Sequence, residues 1–305
     1  MANPMRSTDF RSVVEPILNE VFDGIYEQRK DEWKRVAKER QGIKRSYHEE
    51  PVLYGFNAAP EVPDGDPVTY GQGGELFRQR YIYRVFGLAF ALTRILVEDG
   101  DHISIGKIYS THLAQSMIET KETLVAQIFN RAFNTSFPGG DGEPMNDSAH
   151  PIANGSFSNL LTTAAALSQT SAEQMLIQIR SAVDNNGKKI RLEPSQFIVS
   201  PSNMMQAEVI VKSVLRTGAA NNDINPIVSM NLLAKGVATL SRITSTTAWW
   251  IQNSNVQVGV QLMMRRGLQK AMEGDFETDS MRYKSTERYI PGWTDPRDNW
   301  GTPGL

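Results

Sequence analysis

Four histidines, His48, His102, His112 and His150, titrate nearest neutral pH and are the first side chains a zinc site would recruit. They stand far apart, and no His-x-x-x-His pair sets two of them on one helix face, so each reads as a surface or hydrogen-bonding histidine. Gly155-Ser156-Phe157-Ser158-Asn159 approaches a nucleophile elbow, but the closing glycine of G-x-S-x-G and the strand before it are missing. A hydrolase using Ser156 or His150 is therefore poorly supported. At Gly187-Lys188 a phosphate loop would need glycine where Ala182 stands and a hydroxyl residue where Lys189 stands. Asp64, Asp66, Asp141 and Asp147 do not fall in a twelve-residue calcium loop with a terminal glutamate, and turn formation explains them better. No catalytic, cofactor-binding or metal-ligating residue is assigned, and no cofactor is expected.

Two aromatic groups have a stacking surface. Trp249-Trp250 would suit a sugar or a base, yet adjacent tryptophans more often anchor a strand in a core or an interface. Arg282, Tyr283, Lys284, Arg288 and Tyr289 alternate basic and aromatic character as a nucleic-acid track does, although a ladder between strands or subunits is the better reading. A standalone nucleic-acid-binding module is a third reading, resting on the basic segment Arg29 to Arg45.

The elements around these residues follow from periodicity. Val14, Ile17, Leu18, Val21, Phe22 and Ile25 recur at helical spacing from Phe10 onward, with Pro16 in the first turn, and the helix is expected to run through the charged stretch to Gly42. Tyr47, Val52, Tyr54 and Phe56 form one strand and Arg80 to Ile95 another, around a Pro- and Gly-rich turn from Pro60 to Gly74. Such a ribbon has no core of its own near the tip and needs a surface to lie on. Arg78, Arg80 and Arg84 share one face of the return strand and need partners or water, the partners expected to be acidic groups of a neighbouring chain. Phe86, Leu88, Phe90 and Leu92 form an apolar face nearer the base. Ile105 to Phe133 fits one helix from Ser104 to Asn134, on the order of 45 Å long at 1.5 Å per residue.

Farther on, helices are expected at Ser171–Val183 and Pro201–Arg216, with strands at Gln196–Ser200, Val237–Ile243, Thr247–Ile251, Val256–Met264 and Met281–Tyr289. Gly218 to Pro226 reads as an exposed loop. The result is an α+β chain with a separate α+β subdomain.

Composition narrows the class. The 305 residues are 40% apolar and 22% charged with a formal net charge of −2, ordinary for a globular protein and without bulk attraction to nucleic acid. The absence of cysteine excludes disulfides, thiolate metal sites and cysteine nucleophiles. No stretch reads as a signal peptide, and the longest apolar run, Phe86 to Val97, is too short to span a bilayer and is broken by Arg94. A cytoplasmic product without a membrane partner is expected.

Several stretches, in order, resemble the Hong Kong 97-type major capsid proteins of tailed bacteriophages. Ser46-Tyr47-His48-Glu49-Glu50 and Gly55-Phe56 before an acidic loop resemble the family's extended loop, and Tyr83 to Phe90 with Thr93-Arg94 resembles its return into the spine helix. Asp147-Ser148-Ala149-His150-Pro151 followed by Gly155 to Leu161 is similar to the link into the axial domain. Pro201-Ser202, Trp249-Trp250-Ile251, Arg288-Tyr289 and Gly292-Trp293-Thr294-Asp295-Pro296-Arg297 complete the series.

The resemblance implies an N-terminal arm at 1–43, an extended hairpin loop at 44–98, a peripheral domain from 99–160 and 256–305, and an axial domain at 161–255. It implies a non-enzymatic shell subunit of the virion, assembled in the host cytoplasm as hexamers and pentamers around double-stranded DNA. Scaffolding and portal proteins are implied as partners, with a decoration protein as a further one. The short segment before the hairpin leaves little room for a cleaved assembly domain, so a separate scaffolding protein is expected. Inter-subunit contacts are expected at Arg78, Arg80, Arg84, Asp64, Asp66, Arg288, Asp295 and Arg297; the charge run with Lys34, Arg35 and Lys38 reads first as a solvated helix face and, as the alternative, as an inner-surface arm facing DNA. The sequence departs from members that join subunits by a lysine–asparagine bond, because no lysine occurs between Lys44 and Lys107. The competing reading of the same fold is the shell of an encapsulin-type nanocompartment.

Overall fold

A computed structural model describes residues 7–28, 31–42, 45–93, 95–96, 102–216, 223–275 and 280–305. Helix α1 covers Ser7–Gln28, and a 3-10 turn at Trp33–Arg35 leads into strand β1, Lys38–Arg40. Strands β2 (Tyr47–Tyr54), β3 (Gly74–Ile82) and β4 (Arg84–Leu92) precede the long helix α2, His102–Asn130. A small hairpin of β5 (His150–Ile152) and β6 (Gly155–Phe157) is followed by α3 (Gln169–Arg180), β7 (Pro194–Val199), α4 (Met204–Lys212) and α5 (Pro226–Ser229). Strands β8 (Gly236–Thr239), β9 (Trp249–Asn253), β10 (Val260–Asp275), β11 (Ser280–Trp293) and β12 (Asn299–Thr302) finish the chain.

Two four-stranded sheets organise these elements, in the orders β1-β10-β11-β4 and β12-β9-β7-β8. The first sheet lies under α1 and α2: Val14, Leu18 and Phe22 of α1 and Leu113, Ala114 and Met117 of α2 pack on Met272 and Tyr283. The second sheet carries α3 and α4 on one face, through Met175, Ile179 and Ile210 against Phe197, Val199, Trp249 and Ile251. Its other face meets the first half of the molecule. Successive strand residues point to opposite faces, so Ile198 and Trp250 leave that sheet and join Val125 and Phe129 of α2, Trp33, Leu262 and Tyr289 in a shared core. Trp250 stacks on Phe133 at 5.7 Å, meets Phe129 edge-on at 5.4 Å, and donates its indole N–H to Asn146 Oδ1 at 3.0 Å. The two tryptophans thus anchor two cores from one strand.

Several expectations change. Pro16 lies inside α1 rather than in its first turn, because the helix begins earlier; its packed apolar stripe outweighs the lost backbone hydrogen bond. The helix does not continue to Gly42. Glu122 of α2 accepts the backbone N–H groups of Glu32 (2.7 Å) and Trp33 (3.0 Å), which turns the chain and buries Trp33. The return strand of the extended hairpin is broken at Tyr83: β3 pairs with β2, whereas β4 pairs with β11 in the main sheet. The longest ribbon is therefore β10–β11, of sixteen and fourteen residues, not the extended hairpin. The second predicted helix shortens to a 3-10 turn at Pro201–Asn203 plus α4. Much of the loop from Gly218, together with Arg29, Lys30, Lys44, Arg94, Glu98 and Asp99, falls outside the described residues.

One buried carboxylate sits on the seam between the sheets. Asp298 Oδ2 accepts from Gln252 of β9 (3.0 Å), from the backbone N–H of Val260 at the start of β10 (2.9 Å) and from Asn299 (2.8 Å), while Oδ1 has no partner. Burial pushes its pKa up to about 6, against the opposing effects of its hydrogen bonds and Lys38. A carboxyl raised in the folded state binds its proton there more tightly than in the unfolded chain, so its contribution to stability falls as pH rises from about 4 to about 6. An Asp298→Asn subunit should be more stable than the parent by about 1–3 kcal/mol at pH 7.5 and nearly equal to it at pH 4. Urea unfolding at the two pH values checks this; an equal difference at both would refute it.

Candidate assembly surfaces

The extended hairpin is fastened at its root and open at its tip. Glu50 of β2 is buried, and its Oε2 accepts from Gln261 Nε2 of β10 and Thr294 Oγ1, each at 2.5 Å. Its Oε1 faces His48 Nε2 at 3.1 Å and takes a short ion pair from Arg40 of β1. From β3, Tyr81 donates to the Trp293 carbonyl at 2.5 Å, and Tyr81, Tyr83 and Met263 form a small cluster. The root therefore has a core that alternation alone did not reveal. Farther out, Asn185 and Asn186 donate to the carbonyls of Leu53 (2.9 Å) and Gly55 (2.6 Å), so the outgoing strand touches the second half of its own chain. Beyond Gly55 the segment has no strand partner and exposes Phe56, Val68 and Tyr70, the last two by 75% and 98%. Between Gly55 and Gly73 its only charges are Glu61, Asp64 and Asp66, all exposed.

Two of the three arginines expected to meet a neighbour's acidic groups, Arg78 and Arg80, find local partners. Arg78 pairs with Glu75 at 2.8 Å and Glu49 at 3.4 Å; Arg80 lies 4.2 Å from the Tyr47 ring and 3.8 Å from Glu49. Glu49 on the paired strand β2 and Glu75, three residues before Arg78 on β3, supply these partners, and reading β3 alone does not show Glu49. Arg80 and Arg84, with Arg131, line a groove of about 360 Å³ whose apolar wall includes Phe86, Ile128 and Trp293.

Arg297 is not a surface contact. It is buried, its guanidinium 4.0 Å from the Phe157 ring, with Nε donating to the Val183 carbonyl at 2.9 Å. Asp295 caps the turn that holds it, accepting the Arg297 N–H at 3.0 Å. Arg288 is half-buried on the outer face of β11 beside Arg266 and Val85. Of the residues expected to face DNA, Lys34 pairs with Asp31 at 2.7 Å, while Arg35 and Lys38 donate to the Val237 and Val256 carbonyls at 2.6 Å each. Those bonds tie the N-terminal segment to the second half of the chain.

The stretch around His150 is structural. Its Nδ1 faces Asp141 Oδ2 at 2.6 Å and its Nε2 faces Asn159 Oδ1 at 3.1 Å, with all of the side chain buried. Asn159 in turn donates to the carbonyls of Met145, Pro296 and Asn299 at 2.8–3.0 Å. Both imidazole nitrogens are occupied, so neither is left to take a proton from Ser156, which is exposed on β6. Among the described residues no cluster of three acidic or histidine side chains is placed to hold a metal, and no helix is long and apolar enough to cross a membrane.

A family model described as phage capsid protein matches residues 83–298, well over half of the chain. This chain belongs to the phage capsid protein family. It is a structural, non-enzymatic, shell-forming component of a virion capsid. No curated protein matches the sequence. Among solved structures, the capsid of cyanophage P-SCSP1u is similar with a TM-score of 0.55 at 12% identity, over 90% of this chain and 88% of that one. The procapsid of bacteriophage JBD30 gives 0.53 at 12% identity, over 97% and 76%. A virus-like particle from Pyrococcus furiosus gives 0.51 at 11% identity, over 94% and 98%. At such identities the likeness concerns the fold, and the mixed α+β capsid fold of this family member is common to all three.

Proposed function

We propose that this capsid protein is the major head subunit of a tailed phage, closing in many identical copies into an icosahedral shell around double-stranded DNA. The observation that carries the reading is the extended hairpin of a phage capsid family member: its root is bonded into the subunit while its tip exposes apolar side chains and three carboxylates with no basic residue. A tip of that kind gains by lying on a neighbour. The groove carrying Arg80, Arg84 and Arg131 offers charge opposite to Glu61, Asp64 and Asp66, and apolar surface for Val68 and Tyr70.

In the family's terms, 1–43 is the arm, 44–98 the extended loop, 99–160 with 256–305 the peripheral domain and 161–255 the axial domain. Lys34, Arg35 and Lys38 face the packaged DNA, and Arg78, Arg288 and Asp295 lie near contacts between subunits. Hexamers and pentamers assemble in the host cytoplasm with a scaffolding protein and a portal, and a decoration protein is a further partner. The family match favours a phage shell over a nanocompartment.

Negative-stain electron microscopy of the protein expressed with its neighbouring genes should reveal shells, tubes or capsomers. Those particles, boiled in detergent, should run as monomers near 34.1 kDa, since the hairpin contains neither lysine nor cysteine between Lys44 and Lys107. Dispersed monomers alone would sink the shell reading, and a covalent ladder would sink its non-covalent bracing.

A further inference from the structure

The first sheet has two unlike edges. At one end β1 is three residues long and entirely charged, Lys38-Glu39-Arg40, the kind of edge that resists pairing. At the other end β4 runs nine residues, and from Val85 to Leu92 it carries no charge. Its inner neighbour is β11; among the described residues no strand pairs with its outer side. Gly87, Ala89 and Ala91 are exposed, as are Val85 (60%) and Leu88 (50%). Leu88 is the anomaly. It shares a strand face with Phe86 and Phe90, which pack on Tyr289 and Tyr283 at 4.6 and 5.4 Å, yet it stays half open between them. A long, uncharged, apolar edge of this kind is a template for another strand.

The sequence of the edge says which strand. Read antiparallel against itself about Leu88, Val85-Phe86-Gly87-Leu88-Ala89-Phe90-Ala91 is self-complementary by size: Leu88 meets Leu88, Phe86 meets Phe90, Gly87 meets Ala89 and Val85 meets Ala91. Directly opposed residues of an antiparallel pair lie on the same face. The half-open Leu88 of each copy would thus cover the other, flanked by Phe86 and Phe90 on the same side, while the small residues share the opposite side. Arg84 falls opposite Leu92, at the two far ends of the ribbon, so the pairing brings no like charges together within it. The two-fold arrangement is isologous, the commonest closed contact between identical chains.

We propose that β4 pairs with β4 of a second copy about a two-fold axis through Leu88, joining two sheets into one of eight strands. This rests on the shell reading, because a closed shell supplies two-folds between its building units, but it is tested separately. The chain has no cysteine, so Leu88→Cys introduces a single thiol. Opposed Cα atoms in an antiparallel pair lie about 4.5–5.5 Å apart, inside the disulfide range of about 4.4–6.8 Å.

Assembled Leu88→Cys particles, mildly oxidised and run on a non-reducing gel, should convert most of the chain to a dimer that thiol reverses. Val85→Cys, whose partner in this register is Ala91, should stay monomeric, and Val85→Cys with Ala91→Cys should cross-link again. Shells in which Leu88→Cys does not cross-link, or in which Val85→Cys alone does so equally well, would overturn the pairing while leaving the shell reading intact. Cross-linked pairs without shells would support the pairing and count against the shell. A chain giving neither would refute both.

Discussion

Replacing Glu287 by leucine should cost the subunit about 3–5 kcal/mol, the expected penalty for stripping one member from a buried ion pair. Glu287 is on the inner face of β11 and is fully buried; Lys121 of α2 donates to its Oε1 at 2.9 Å and Tyr26 of α1 at 2.5 Å. Burial first, and the Glu287 charge second, push the Tyr26 hydroxyl well above the usual phenol range, which keeps it a donor at any working pH. The Lys121 ammonium also lies 4.9 Å from the Tyr26 ring and 5.5 Å from the Tyr289 ring. Without the carboxylate, that ammonium is left between two aromatic rings and has lost its ion-pair partner. Three elements meet at this one side chain.

The measurement is thermal unfolding of the unassembled subunit, where a loss of this size lowers the midpoint by on the order of 10 °C. Because α1 loses the Tyr26 bond, limited proteolysis near Gln28 should accelerate in the same variant. A Glu287→Leu, Lys121→Met double variant should recover much of the stability, since a matched apolar replacement removes the stranded charge. A single variant as stable as the parent would show that the pair adds nothing, and a double variant worse than the single would show that the charge itself is not the cost.

The sequence made some of this legible for definite reasons. The long helix α2 announces itself because Ile105 to Phe133 keeps a 3.6-residue period over many turns, and β7 because Phe197-Ile198-Val199 is apolar on both faces and buried on both. The partner switch at Tyr83 was not legible, since alternation reports which face a residue takes and nothing about which strand lies beside it. Strand β10 was read too short because Arg265, Arg266 and Gly267 interrupt the pattern where the register shifts twice. Glu287, flanked by Lys284, Thr286 and Arg288, was not singled out; a signal exists in its parity with Tyr283 and Tyr289, which fixes the inner face. Arg297 was misassigned to the surface because only tertiary structure places Phe157 and the Val183 carbonyl around it. For Glu50 no local signal was available, as its acceptor role depends on Gln261 and Thr294, more than two hundred residues away.

That remoteness makes Glu50 the second large effect, on assembly rather than folding. A Glu50→Ala substitution removes the acceptor shared by Gln261, Thr294, His48 and Arg40, and each buried donor left unsatisfied costs about 1–3 kcal/mol unless the hairpin lifts to admit water. Lifting is the easier response: none of the three large apolar cores draws a buried residue from the hairpin, so they survive its movement. The subunit should therefore keep its circular dichroism and unfold with a similar midpoint, while particle yield in a sedimentation assay falls at least roughly tenfold, the factor that about 1.4 kcal/mol of misplaced hairpin would produce at a single contact. Glu50→Gln retains one acceptor for the neutral donors but loses the Arg40 charge, and should fall between the two. If Glu50→Ala assembled normally, the anchored root would not be what aims the tip at its neighbour. If the variant failed to fold, Glu50 would belong to the core and its role in assembly would be refuted. The expected pattern, intact folding with lost assembly and partial rescue by glutamine, is one that neither a purely structural nor a purely surface residue would give.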